Sequence, residues 1–148
     1  MQVFPDLEKE YIDTGKVRYV FRDYPLAFHN KAIPAAVAAN CAGEQGKYWE
    51  MNNFLFKDQS NLDESGFLKF AEDNKLDTSK FKACLANEDQ KKEIDKDFQD
   101  GQKYGVRGTP SFFVGKTEDG KEITGVYIRG ARPYTVFKTE IDKILAEK

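Results

Sequence analysis

One stretch limits the possible folds of this chain more than any other: Gly105-Val106-Arg107-Gly108-Thr109-Pro110, running directly into Ser111-Phe112-Phe113-Val114. The first six residues are turn chemistry, and the next four form a largely apolar run rich in β-preferring residues. Proline has no N–H to give a sheet ladder, so Pro110 belongs at the first position of that strand. A Thr-Pro bond held there in a tight turn is a candidate cis peptide. An ordinary turn entering a strand is the alternative. Gly105, Gly108 and Phe112-Phe113 all suit the tight loop, which favours the cis-proline reading.

The bulk numbers exclude several classes. A chain of 148 residues suits one domain with a real core, and 40% apolar with 32% charged residues fits a soluble globular protein. A net charge of -2 makes no electrostatic case for nucleic acid. No apolar run reaches membrane-spanning length. Met1-Gln2-Val3-Phe4-Pro5-Asp6 lacks the basic start and apolar stretch of a signal peptide, so a true start at Met1 implies the cytoplasm.

Apolar spacing then divides the chain. Val3, Leu7 and Tyr11 recur at helical intervals, with Pro5 near the first turn and Gly15 as a stop. Residues 17–22, Val-Arg-Tyr-Val-Phe-Arg, read as a strand that Pro25 ends. A helical block follows. Ala32 to Ala42 carries Ile33, Val37 and Cys41 on one stripe, and Tyr48 to Phe56 forms a second helix. Phe67, Leu68, Phe70 and Ala71 belong to a third. Asp77 or Thr78 caps a fourth with Phe81, Cys84 and Leu85, and Asn87 caps a fifth whose end Gly101 and Gly105 loosen. The period changes again after Gly105: a strand from Ser111 to Val114, a turn at residues 118–121, and a return strand from Ile123 to Ile128 with Gly125 as a candidate bulge. Pro133 opens a last helix with Phe137, Ile141, Ile144 and Leu145 on its face.

The reactive residue types are few. Cys41 and Cys84 stand 43 positions apart, a spacing that suits two buried thiols or a disulfide. His29 is the sole histidine and reads best as an ordinary helix-entry residue. One histidine and two distant cysteines lack metal-ligand spacing, so no metal and no other cofactor is expected. Trp49, Phe54 and Phe56 read as core packing rather than a binding face, and residues 88–96 as a solvated, charge-alternating helix face.

Taken in order, several segments resemble one family. They are Phe4-Pro5-Asp6-Leu7, Lys16 to Leu26, Cys41 to Met51, Leu55-Phe56, Phe81-Lys82-Ala83-Cys84-Leu85, Gly105 to Val114 and the final helix. Each is weak alone; together, nearly end to end, the chain resembles the DsbA-like thioredoxin-domain proteins of bacteria. The resemblance implies an α/β thioredoxin-like fold with an inserted all-helical subdomain, residues 1–26 and 105–148 forming the thioredoxin-like part and 27–104 the insert of a single domain. It also implies that the first, central β-strand and the Cys-X-X-Cys at the following helix are missing from these 148 residues, the pair lying about two turns upstream.

The family's chemistry needs a thiolate lowered in pKa by a helix N-terminus. Neither Cys41 nor Cys84 matches that position, so no catalytic residue is carried over and the chain is expected to be inactive in exchange. The resemblance favours a Cys41–Cys84 disulfide, because such proteins work in oxidising compartments, the periplasm or another extracytoplasmic space. It makes Gly108, Thr109 and Pro110 a groove for extended or cysteine-containing polypeptides, held by β-augmentation. Three readings follow: an oxidoreductase represented without its reactive pair, a redox-dead peptide-binding module, and, more weakly, an enzyme using Cys41 or Cys84 as nucleophile. Unpaired edges left by the absent strand imply self-association.

Overall fold

A computed structural model describes residues 3–117 and 125–147. The chain divides into two compact units, Met1–Phe21 with Val106–Lys148, and Arg22–Gly105. The second is helical, built from α2 (Ala32–Gly43), α3 (Tyr48–Lys57), α4 (Glu64–Asp73), α5 (Thr78–Leu85) and α6 (Glu88–Lys103). The first holds α1 (Val3–Leu7), which continues as a π-helical turn over Glu8–Ile12, then β1 (Ser111–Gly115), β2 (Gly125–Arg129) and α7 (Tyr134–Ala146).

In the helical unit α2 packs against α3, α5 and α6. Its alanines make this possible: Ala38 and Ala42 are fully buried, so neighbouring helices approach closely. Phe81, Met51 and Ile94 fill the space around it. Short polar residues start the helices. Asp77 accepts the Lys80 N–H (3.0 Å) and Asn87 the Asp89 N–H (3.0 Å), as expected, and Asp63 accepts the Gly66 N–H (3.0 Å) at the start of α4. Gly66 is required there because a Cβ would collide with the Asn61 carbonyl. One expectation fails on α3, where Met51 is buried but Trp49 and Phe56 are 44% and 46% exposed. A ten-residue helix that buries one stripe leaves the others outward.

In the other unit β1 and β2 pair antiparallel in plain register, from Ser111↔Arg129 to Gly115↔Gly125. Gly125 therefore makes no bulge. It is needed for close approach, since a Cβ would stand 2.7 Å from the Val114 carbonyl oxygen. The expected turn at 118–121 and the start of the return strand, 123–124, lie outside the described residues. Alternation sets the faces. Phe112 meets Phe137 of α7 edge-on at 4.8 Å between ring centres, and Ile128, Phe137, Ile141 and Tyr11 form the core. Pro133 caps α7 from just outside its first turn.

Residues 17–21 form no strand, against expectation. The sheet of the described residues consists of β1 and β2 alone. β-propensity reflects fit to a neighbouring strand, and without that neighbour in the sheet the ladder does not form. The segment is held by other means: Val17 N–H donates to the Tyr11 carbonyl (3.0 Å), and Tyr19 packs on Phe4 with ring centres 4.9 Å apart.

Candidate functional site

The loop before β1 is built from its glycines and its proline. Gly105 adopts a φ of +82°, which favours glycine. Val106 is buried and anchors the chain, while Arg107, Thr109 and Pro110 are exposed. The Thr109–Pro110 peptide is cis. Ser111 Oγ donates back to the Gly108 carbonyl (2.7 Å), and Gly130 N–H donates to the Pro110 carbonyl (2.9 Å). The second bond joins the loop to the turn after β2, where Gly130 takes a φ of +78°. Among the described residues the backbone of Thr109 makes no hydrogen bond. An exposed residue with open N–H and C=O groups beside a strand entrance is the geometry an extended peptide pairs with. Sequence reasoning singled out Gly108, Thr109 and Pro110 but missed the Gly130 tie. Its only signal was the second turn, Arg129-Gly130-Ala131-Arg132-Pro133, following a strand in the same style.

The two cysteines are elsewhere. Cys41 of α2 and Cys84 of α5 form a disulfide with Cα atoms 5.7 Å apart. Cys41 is 1% exposed and Cys84 8%. The nucleophile reading is thereby corrected: a nucleophilic cysteine needs an accessible thiolate, and both sulfurs are bonded and buried. Between the end of α2 and the start of α5, the Gln45 side-chain amide forms a two-way clasp with the Asp77 backbone, accepting its N–H (2.8 Å) and donating to its carbonyl (3.2 Å). His29 lies exposed in the turn before α2, its ring 4.4 Å from that of Phe28. Among the described residues no group of three or more His, Cys, Asp or Glu is arranged to hold a metal.

Two polar clusters complete the electrostatics. In the helical unit, Arg22 pairs with Asp97 (2.8 Å) and Asp100 (3.1 Å), and Asp23 N–H donates to Asp97 (3.0 Å). Burial pushes the Asp23 carboxyl up to about 6, helped by the charges of Asp97 and Glu93 and opposed by Arg22. In the other unit, Tyr11 hydroxyl donates to Asp142 (2.6 Å), and Lys138 donates to that hydroxyl (3.1 Å) while pairing with Asp142 (3.0 Å). The Tyr11 and Lys138 hydrogen bonds hold the Asp142 carboxyl below the usual carboxylate range. A cavity of about 330 Å³ between Phe54 and Phe70 shares no residue with the Thr109–Pro110 loop.

Comparison with known proteins places the chain. A family model described as Thioredoxin matches residues 1–125. The chain is 38% identical to the Na(+)/H(+) antiporter NhaA 3 of Salinispora tropica over 114 residues, 76% of this chain but 18% of the antiporter. It is 29% identical to the "Probable disulfide bond formation protein D" of Bacillus cereus over 120 residues, 76% of this chain and 56% of that protein. The chain thus spans well under two thirds of the length of these relatives. Its fold superposes on Wolbachia pipientis alpha-DsbA1 with a TM-score of 0.81 and 28% identity, covering 98% of this chain and 76% of that one. With a thioredoxin-like fold, a cis-proline loop and this end-to-end structural match, the chain belongs to the DsbA-like thioredoxin-domain family.

Proposed function

We propose that this DsbA-like domain holds extended, cysteine-containing polypeptides along Gly108, Thr109 and Pro110, in the service of thiol-disulfide exchange in an extracytoplasmic compartment. The observation that carries the reading is the exposed Thr109, whose N–H and C=O make no hydrogen bond among the described residues, at the cis-proline loop. In this reading residues 27–104 are a helical insert in the thioredoxin-like part. Cys41 and Cys84 serve that insert as a staple and take no part in exchange, because an attacking thiolate needs access to a sulfur and both are covered. The antiporter's transport is not carried over: the likeness spans 18% of that protein, and among the described residues no helix is long and apolar enough to cross a membrane.

The test is to assay the 148-residue chain for oxidation of a reduced cysteine peptide and, separately, for binding of the same peptide with its thiols alkylated. The expected result is no exchange above background, with the bound peptide perturbing the amides of Thr109 and Ser111. Exchange at a rate lost on replacing Cys41 or Cys84 would overturn the structural role of the disulfide. Absence of any effect at Thr109 would overturn the groove. A second reading, a peptide-binding module without exchange, is favoured by the same open backbone and separates from the first in the cell, where it predicts no effect on disulfide formation.

A further inference from the structure

We propose that the groove at Thr109–Pro110 selects acidic segments: extended peptides with Asp or Glu flanking an aromatic or aliphatic residue. The inference rests on reading this loop as a peptide groove. Residues 101–117 and 125–139 contain no Asp or Glu, although the whole chain carries a net charge of -2. Within these stretches Arg107, Arg129 and Arg132 are all exposed. Arg107 stands two residues before Thr109, and Arg129 is the cross-strand partner of Ser111. Arg132 lies in the same turn, with its Nε donating to the Arg129 carbonyl (3.2 Å). That turn is bonded to the Pro110 carbonyl through Gly130 N–H (2.9 Å). Three arginines thus stand in the loop or in the turn bonded to it, and none makes an ion pair among the described residues. A guanidinium presents a planar fork of donors that matches a carboxylate two bonds at a time.

The strand pair next to the loop supplies the apolar half of the recognition. Direct cross-strand partners share a face. Ser111 and Arg129, and Phe113 and Tyr127, therefore lie on one side of the hairpin, opposite the side that Phe112 packs on α7. Phe113 and Tyr127 stack at 4.9 Å with 26° between ring planes, yet remain 51% and 37% exposed. An exposed aromatic pair beside three arginines accommodates a peptide whose middle is apolar and whose flanks are negative. A basic flank would meet like charge and lose the guanidinium bonds.

The test uses three nine-residue peptides with the same central aromatic residue and Glu, Gln or Lys flanks, titrated into the full chain and followed by amide chemical shifts. The acidic peptide is expected to bind about tenfold tighter than the neutral one at low salt, three surface pairs each being worth a fraction of a kcal/mol. The advantage should shrink to about twofold at 0.5 M salt. Replacing Arg107→Gln, Arg129→Gln and Arg132→Gln together should abolish the preference, so that the acidic and neutral peptides bind the variant equally, with circular dichroism confirming the fold. Equal binding of all three peptides at Thr109 would overturn the charge selection and leave the groove standing. A preference that survives the triple variant would overturn the assignment to these arginines. No shift at Thr109 or Ser111 with any peptide would sink the groove and the selection together.

Discussion

The helical unit and the sheet unit are stabilised in different ways. Twelve buried residues form the helical core, with alanines letting α2 sit close to its neighbours and a disulfide tying α2 to α5. The sheet unit is assembled from both ends of the chain, and among the described residues its core cluster is Tyr11, Ile128, Phe137 and Ile141, with the tyrosine anchored by Asp142 and Lys138. The candidate binding loop belongs to the second. The disulfide lies where no binding loop is placed, and the exposed loop sits on the unit with the smaller core cluster among the described residues. Binding surfaces commonly carry strain or unmet bonding capacity that other parts of a fold offset.

The largest expected effect breaks the staple. Replacing Cys41→Ala and Cys84→Ala together should cost about 2–4 kcal/mol in urea unfolding, the usual range for a native disulfide. Hydrogen exchange should quicken in α2 and α5 and stay unchanged in β1, β2 and α7. Equal losses in both units would show that they unfold as one and erase the contrast.

The next effect is a pH response confined to the helical unit. The folded Asp23 carboxyl holds its proton up to about 6, while the unfolded one releases it near the ordinary value of 3.8. The folded state therefore binds the extra proton between these values, and stability falls as pH rises through them. Above about 6 the cost is fully present, roughly 1–3 kcal/mol. Asp23→Asn should remove this slope and raise stability at pH 7.5, measured as unfolding midpoints across pH 3.5 to 8. A slope that persists would show that burial beside Asp97 and Glu93 is not its source.

The smallest effect sharpens the comparison from the other side. Tyr11→Phe keeps the ring in the sheet-unit core but removes its hydroxyl from Asp142 and Lys138. It should cost about 1 kcal/mol, the net worth of such a bond. The Asp142 carboxyl should move back towards its ordinary value, read by NMR titration. Its depressed value stabilises the fold above the unfolded pKa, and this contribution is lost as pH falls through the folded one. No movement of the Asp142 titration would assign its depression to the lysines Lys138 and Lys16 rather than to the Tyr11 hydroxyl.

Local chemistry made much of the chain legible in advance. Helical spacing located the helices, because a buried stripe repeats every turn whatever the helix packs on. Asp77 and Asn87 were readable as caps because a short polar side chain satisfies an N–H only two or three residues away. The loop at Pro110 was readable for the same reason: glycine and proline act on their own backbone. Where the outcome depended on a distant partner, the reading failed or stayed open. Residues 17–21 have the composition of a strand but no place in the ladder of the described sheet, and Trp49 carries a core residue's chemistry on an exposed face. Gly125 looked like a bulge and is instead a point of close approach to the Val114 carbonyl.

By itself, the sequence determined the helical block, the turn chemistry around Thr109–Pro110 and the resemblance that led to the family. All of these are written in neighbouring residues or in their order. Only the tertiary structure decided that Cys41 and Cys84 are joined, that Gly130 secures Pro110, and that Arg107, Arg129 and Arg132 stand in one loop or in the turn bonded to it. Spacing along a chain limits which residues can meet. Helix packing and strand register decide which of them do.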